Sequence, residues 1–209
     1  MNFKYDFVIF DLDGTLLDTS KGILESVKYV IEKHKLNILT HEQLLTFIGP
    51  PIQESFHKHY CFDKNYCQVL ANEFRERYKN CDLLKAKPYE GIYNVLNELI
   101  DNEVVLAVST YKREDYAKIL LNHFDFDKYI KIVHGADNNN ELQKKDIIQL
   151  SINDYMSDNK KIVYVGDTNS DLLASKKVNI DFIGVNYGFG FSNVSYYANC
   201  PKDILLYMR

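Results

Sequence analysis

The sequence predicts an α/β fold, a doubly wound parallel sheet interrupted by a small all-helical block. Three observations predict it. Short apolar, β-branched runs recur at Phe7–Phe10, Val104–Val108, Ile130–Val133, Lys161–Val165 and Phe182–Val185, each the length of a strand. Helix-like stretches separate the later runs, the alternation that goes with a parallel sheet. The interval from about Leu17 to Leu84 breaks that alternation and carries helical patterning only.

Taken in order, the first run passes into Asp11-Leu12-Asp13-Gly14-Thr15. In an extended strand, residues two apart face the same way, so Asp11 and Asp13 aim at one small volume. Two anions held that close repel, and the pair persists if a cation neutralises it or one carboxyl keeps a proton. The next 68 or so residues read as helices over Ser20–Lys35, Thr40–Phe47, Ile52–Tyr60 and Lys64–Asn80. Ile23, Val27, Val30 and Ile31 fall at helical spacing, Thr40 with Gln43 forms a capping-box pattern, and Gly49-Pro50-Pro51 breaks the chain between helices. The chain therefore divides into a core of residues 1–16 and 85–209 and a helical cap of residues 17–84. A block inserted after the first strand is expected above that strand's carboxyl end, as a lid that excludes water and selects the substrate. The second core run ends in Ser109 and Thr110, and the fourth in Gly166-Asp167-Thr168-Asn169-Ser170-Asp171. Open α/β sheets bind ligands beyond the carboxyl ends of their strands, so three strand ends offer carboxylates and hydroxyls to one crevice. Asn138-Asn139-Asn140 reads as a surface loop.

Composition bounds the partners. The 209 residues are 46% hydrophobic, enough for a sizeable core, and 25 basic against 29 acidic residues leave a net charge of -4. That balance offers no electrostatic attraction for nucleic acid or an anionic membrane, so an anionic substrate has to be met locally. No segment reaches the roughly 20 apolar residues of a membrane-spanning helix. Cys61, Cys67, Cys81 and Cys200 include no Cys-x-x-Cys pair, and the start Met1-Asn2-Phe3-Lys4 carries no signal-peptide run, which points to a cytoplasmic protein. Oligomeric state is left open, because no heptad stands out.

Asp11, Asp13, a hydroxyl, a lysine and Asp167 form a set suited to phosphoryl transfer. Asp11 is a carboxylate nucleophile, and phosphorus is the electrophile that goes with Mg²⁺. Asp11, Asp167 and a backbone carbonyl can hold that hard cation, leaving Asp13 free to move a proton.

Asp11-Leu12-Asp13-Gly14-Thr15 resembles the first motif of the haloacid dehalogenase superfamily, in its phosphatase branch. The resemblance spans the chain and implies a Rossmann-like core. Thr110 is similar to the second-motif hydroxyl that donates to the phosphate, with Ser109 as the alternative. Lys144, ahead of the helix-like Asp146–Ser151, is similar to the third-motif lysine, with Lys145 as the alternative. Gly166 to Asp171 resembles the fourth motif, which implies Asp167 as metal ligand and Asp171 as support for the metal shell or the lysine. The metal set implied is Asp11, Asp167 and the carbonyl of Asp13, with Gly14 and Thr15 in support. Tyr111 departs from the family's small residue and either narrows the pocket or faces solvent.

The resemblance implies a Mg²⁺-dependent phosphatase that forms an aspartyl phosphate on a small phosphorylated metabolite. A phosphomutase and a non-catalytic binding module of the same fold are the alternatives. Thr15 favours hydrolysis, and Asp13 argues against carbon–halogen cleavage. Phe47-Ile48-Gly49-Pro50-Pro51 and Tyr187-Gly188-Phe189-Gly190 resemble phosphoglycolate phosphatase-like and 5'-nucleotidase-like members, leaving the substrate open among phosphorylated acids, sugar phosphates and nucleoside monophosphates. His57 and His59, two apart on a helix, diverge and make no metal pair. His34, His41, His123 and His134 have no constellation around them, and Gly188-Phe189-Gly190 reads as a turn at the crevice rim without a dinucleotide role.

Overall fold

The computed structural model describes residues 3–137, 141–155, 161–192 and 194–209, so the Asn138-Asn139-Asn140 loop lies outside the described residues. The chain forms two compact units, residues 1–18 with 88–209 and residues 19–87.

The first unit holds strand β1 (Phe7–Phe10) and the two-residue strand β2 (Leu17–Asp18). The second holds helices α1 (Ser20–Lys33), α2 (His41–Leu45), α3 (Ile52–Tyr60) and α4 (Lys64–Arg77), followed by a π-helical turn at Tyr78–Asp82. A short strand β3 (Lys87–Pro88) lies where the chain returns to the first unit. There α5 (Ile92–Asp101), β4 (Val105–Arg113), α6 (Glu114–His123), β5 (Ile132–Ala136), α7 (Lys144–Tyr155), β6 (Ile162–Gly166), α8 (Asn169–Lys177), β7 (Asp181–Gly184) and α9 (Ile204–Tyr207) follow.

The main sheet has the order β5-β4-β1-β6-β7, and its neighbouring strands are all parallel. Every β1 side chain is fully buried, as a central strand covered on both faces requires. Phe7, Ile9, Ala107, Ile148, Tyr164 and Ala174 form one buried cluster that ties the sheet to α7 and α8. Phe10 stands opposite Val108 on one side and Val165 on the other, so the end of β1 is level with Val108 of β4 and Val165 of β6. That register brings the segments beginning at Asp11, Ser109 and Gly166 to one edge, at the point where strand order reverses.

β4 runs five residues beyond the expected Val108 and takes in Thr110, Tyr111, Lys112 and Arg113. Its pairing with β5 shifts between Ser109 and Arg113. The apolar pattern stops at Val108 because the later side chains meet polar partners, while backbone pairing continues.

In the helical unit, the Thr40–Gln43 capping box forms as expected. The Asp63 carboxylate caps α4 by accepting the N–H groups of Asn65 and Tyr66 at 2.9 and 3.0 Å. α4 ends at Arg77 rather than Asn80, where the π turn begins. Asp82, at the end of that turn, is fully buried and is held by Arg77 at 2.8 Å, Lys85 at 2.7 Å and the donating Ser26 hydroxyl at 2.9 Å. Among the described residues, no helix is long and apolar enough to cross a membrane.

Candidate active site

Asp11 follows β1 directly and is 6% exposed. Asp13 lies two residues on and Gly14 turns the chain with φ +80°, a conformation that favours glycine. A Cβ on Gly14 would stand 2.3 Å from Asp167 Oδ2, so the turn needs glycine for space as well as for φ. Thr15 is buried, and its carbonyl accepts the Tyr187 hydroxyl at 3.1 Å.

Burial and two lysines order the carboxylates. Lys144 opens α7, is 3% exposed, and places Nζ 2.9 Å from Asp11 Oδ1 and 3.0 Å from Asp171 Oδ1. Lys145 points elsewhere, half-exposed and 3.8 Å from Asp146, as neighbours on a helix must diverge. The sequence left these two open; the structure brings Lys144 to Asp11. Asp13 takes a partner of its own, Lys112 Nζ at 3.0 Å. Each of the two carboxylates thus faces its own buried lysine, a cationic partner that the paired-carboxylate pattern did not name.

Ser109 and Thr110 also separate. The Ser109 hydroxyl bonds to that of Ser151 at 2.8 Å, so it belongs to the packing of β4 on α7. Thr110, within β4, is 1% exposed, and its Oγ1 accepts the Lys112 N–H at 3.2 Å.

Asp167 is 1% exposed. The Phe189 and Gly190 N–H groups donate to its Oδ2 at 2.6 and 3.3 Å, and the Phe191 N–H to its carbonyl at 2.8 Å. The Gly188-Phe189-Gly190 turn thus does more than shape a rim: it cradles a carboxylate with backbone donors. Gly188 Cα packs so closely that an added Cβ would stand 2.3 Å from the Asp167 Cβ. Asp167 Oδ1, by contrast, is buried with no hydrogen-bond partner among the described residues. Asp171 joins the cluster from α8: its Oδ2 accepts the Thr168 N–H at 3.0 Å and the Thr168 hydroxyl at 2.6 Å.

Carboxylate oxygens of Asp11, Asp167 and Asp171 all lie within 4.8 Å of one another. Burial pushes the Asp167 carboxyl up to about 8, with repulsion from Asp11 and Asp171 adding to it. Burial likewise lifts Asp11, to about 6, against the counter-pull of Lys144. For Lys144 burial works toward a lower pKa, but Asp11 and Asp171 outweigh it and hold the ammonium above the ordinary lysine range. One lysine among three carboxylates leaves net negative charge and an orphaned oxygen on Asp167. A hard divalent cation suits both, so the donor set of buried carboxylates fits Mg²⁺.

The histidines are engaged singly. His57 Nδ1 is 2.8 Å from the Phe62 carbonyl and His59 Nε2 2.7 Å from Thr46 Oγ1, so they form no pair. His34 lies against Tyr66 and Glu73, and His134 against Asp154. The sequence missed Lys112 as the partner of Asp13 and the backbone donors to Asp167. Lys112 following Thr110 by two was a readable signal, since alternate strand residues share a face; the cradle carried none.

Residues 8–185 match the family described as haloacid dehalogenase-like hydrolase. The chain belongs to that family. It is 30% identical over 188 residues to a 5'-nucleotidase of Pseudomonas aeruginosa, covering 90% of this chain and 85% of that one. It is 26% identical over 182 residues to the pyrophosphatase PpaX of Halalkalibacterium halodurans, covering 86% and 83%. A crystal structure described as a predicted phosphatase from Clostridium acetobutylicum superposes with a TM-score of 0.86 at 32% identity, covering 97% of this chain and 99% of that one. Within its family the chain is an enzyme of the phosphatase kind, a phosphoric monoester hydrolase.

Proposed function

We propose that the enzyme hydrolyses a small phosphate monoester with Asp11 as nucleophile and Mg²⁺ as cofactor. One observation carries the reading: Lys144 Nζ lies 2.9 Å from Asp11, inside a buried cluster that also holds Asp167 and Asp171. Asp11 attacks phosphorus through a carboxylate oxygen, the bond from phosphorus to the leaving oxygen breaks, and Asp13 gives that oxygen a proton. In the second step Asp13 takes a proton from water as the water oxygen attacks the phosphoryl group, and the bond to Asp11 breaks to free inorganic phosphate. Lys144 balances negative charge on Asp11 and the transferring group, and Thr110 donates its hydroxyl to a phosphate oxygen. Asp11, Asp167 and the Asp13 carbonyl hold Mg²⁺, which when bound offsets the charge between nucleophile and phosphate. Asp171 fixes Lys144, and Gly14 and Thr15 shape the turn.

Nucleoside monophosphates are the substrate class favoured by the similarity to a 5'-nucleotidase, with a small phosphorylated acid as the second class. Choice between them is assigned to the helical unit, residues 19–87, acting as a cap. A cytoplasmic setting accords with four free cysteines.

Release of inorganic phosphate from a metabolite panel, with and without Mg²⁺, tests the reading. Asp11→Asn should lower turnover by at least about a thousandfold while melting like the parent protein, since it removes the nucleophile and keeps the shape. Activity in Asp11→Asn close to the parent's would overturn the mechanism.

A further inference from the structure

We propose that Tyr111 is a positioning residue for Lys144, gripping it at both ends. Lys144 is the first residue of α7, where a helix leaves backbone N–H groups without partners. The Tyr111 hydroxyl accepts the Lys144 N–H at 2.9 Å. The same side chain lays its ring under the other end of the lysine, with Nζ 5.5 Å from the ring centroid. The Tyr164 ring stands 5.6 Å from that ammonium, and its hydroxyl donates to the Ser109 carbonyl at 2.6 Å, which locks the ring to β4. Both rings are within the roughly 6 Å at which an ammonium is drawn to an aromatic face.

A lysine has a long flexible stem, and fixing it opposes substantial rotamer entropy. Asp11 and Asp171 hold the ammonium at 2.9 and 3.0 Å, but they act on the tip of the side chain alone. Tyr111 fixes the root of the side chain through the backbone and confines the tip through the ring. Tyr111 is half-buried, and its contacts with Lys144 give it a role beyond the two that the sequence suggested. It couples the extended end of β4 to the start of α7, so the lysine's distance from Asp11 is set by two elements together.

The inference rests on the phosphatase mechanism proposed above, and the test separates the two. Tyr111→Phe keeps the ring and loses the acceptor; Tyr111→Leu loses both; Lys144→Met removes the ammonium. Turnover and KM are measured on a chromogenic aryl phosphate with Mg²⁺, together with melting temperature. A misplacement of about 1 Å costs roughly a hundredfold in rate, so kcat should fall about threefold in Tyr111→Phe and about tenfold or more in Tyr111→Leu, with KM within about twofold. A second readout is the proton–nitrogen NMR signal of the Lys144 ammonium, identified by its loss in Lys144→Met. Shielding by the ring should move it upfield in the parent and Tyr111→Phe, and Tyr111→Leu should return it downfield. Parent-like kcat in both Tyr111 variants, or a loss confined to KM, overturns the clamp. If Lys144→Met keeps its activity, the mechanism falls, and the ammonium signal still decides whether Tyr111 holds the lysine. If Tyr111→Leu does not fold, parent-like kcat in Tyr111→Phe with an unmoved Lys144 backbone N–H signal overturns the proposal.

Discussion

Gly14 and Asp167 come from opposite ends of the chain and are in contact, which makes glycine 14 a residue about space. A methyl group there would stand 2.3 Å from the Asp167 carboxylate on a backbone with φ +80°. Gly14→Ala should cost about 1–3 kcal/mol, read as a shifted urea midpoint, and should also weaken Mg²⁺ binding measured by calorimetry, because Asp167 has to move. Unchanged Mg²⁺ affinity in that variant would separate the turn from the metal site. At this scale the sequence was legible where a motif states a residue's own chemistry, as for Asp11, Asp13 and Asp167. It was illegible where a residue matters by what it touches. The Phe189 N–H on Asp167 is a contact across 22 positions that no local pattern encodes, and while alternation places Lys112 on the face of Thr110, its partner 99 positions away is set by the fold.

β4 shows the same limit for an element. Its apolar run ends at Val108, yet the strand continues to Arg113, carrying the residues that face Asp13 and Lys144. Alternation along it divides Ser109 from Thr110: one hydroxyl packs on α7 and the other accepts the Lys112 N–H. Ser109→Val should leave kcat within about twofold and lower stability by roughly 1 kcal/mol, the net worth of one hydrogen bond. Thr110→Val should do the reverse, cutting kcat by about a hundredfold, as loss of one donor to a developing charge does, with little change in the urea midpoint. If Ser109→Val instead lost turnover, the assignment of the two hydroxyls would be inverted. The helices of the second unit were more legible, since Thr40 with Gln43 and the Gly49-Pro50-Pro51 break act locally.

For the whole molecule, the buried carboxylates tie stability to pH and to metal. Asp167 keeps its proton up to about 8 in the folded state, against an ordinary value of 3.8. A carboxyl that binds its proton more tightly when folded stabilises the fold at low pH, and that contribution shrinks as pH rises from near 4 toward 8. Asp11, raised to about 6, adds in the same direction over a narrower window. Metal-free protein should therefore lose unfolding free energy between pH 5 and pH 8 more steeply than Asp167→Asn does. Mg²⁺ should raise the melting temperature more at pH 8 than at pH 5.5, because it binds the ionised cluster of the native state. Equal slopes for the parent and Asp167→Asn in chelator would show that burial of this carboxyl carries no linkage.

The sequence by itself determined the parallel α/β core, the helical insertion, and the residue types that meet at the strand ends, because periodicity, caps and short motifs are written over a few consecutive positions. Only the tertiary structure decided which of two adjacent lysines turns inward, which hydroxyl stays at the site, what neutralises Asp13, and how Tyr111 and the glycine turn hold their charges. Those choices depend on strand register and on which helix face packs against the sheet, and both are settled by contacts between residues far apart in the chain.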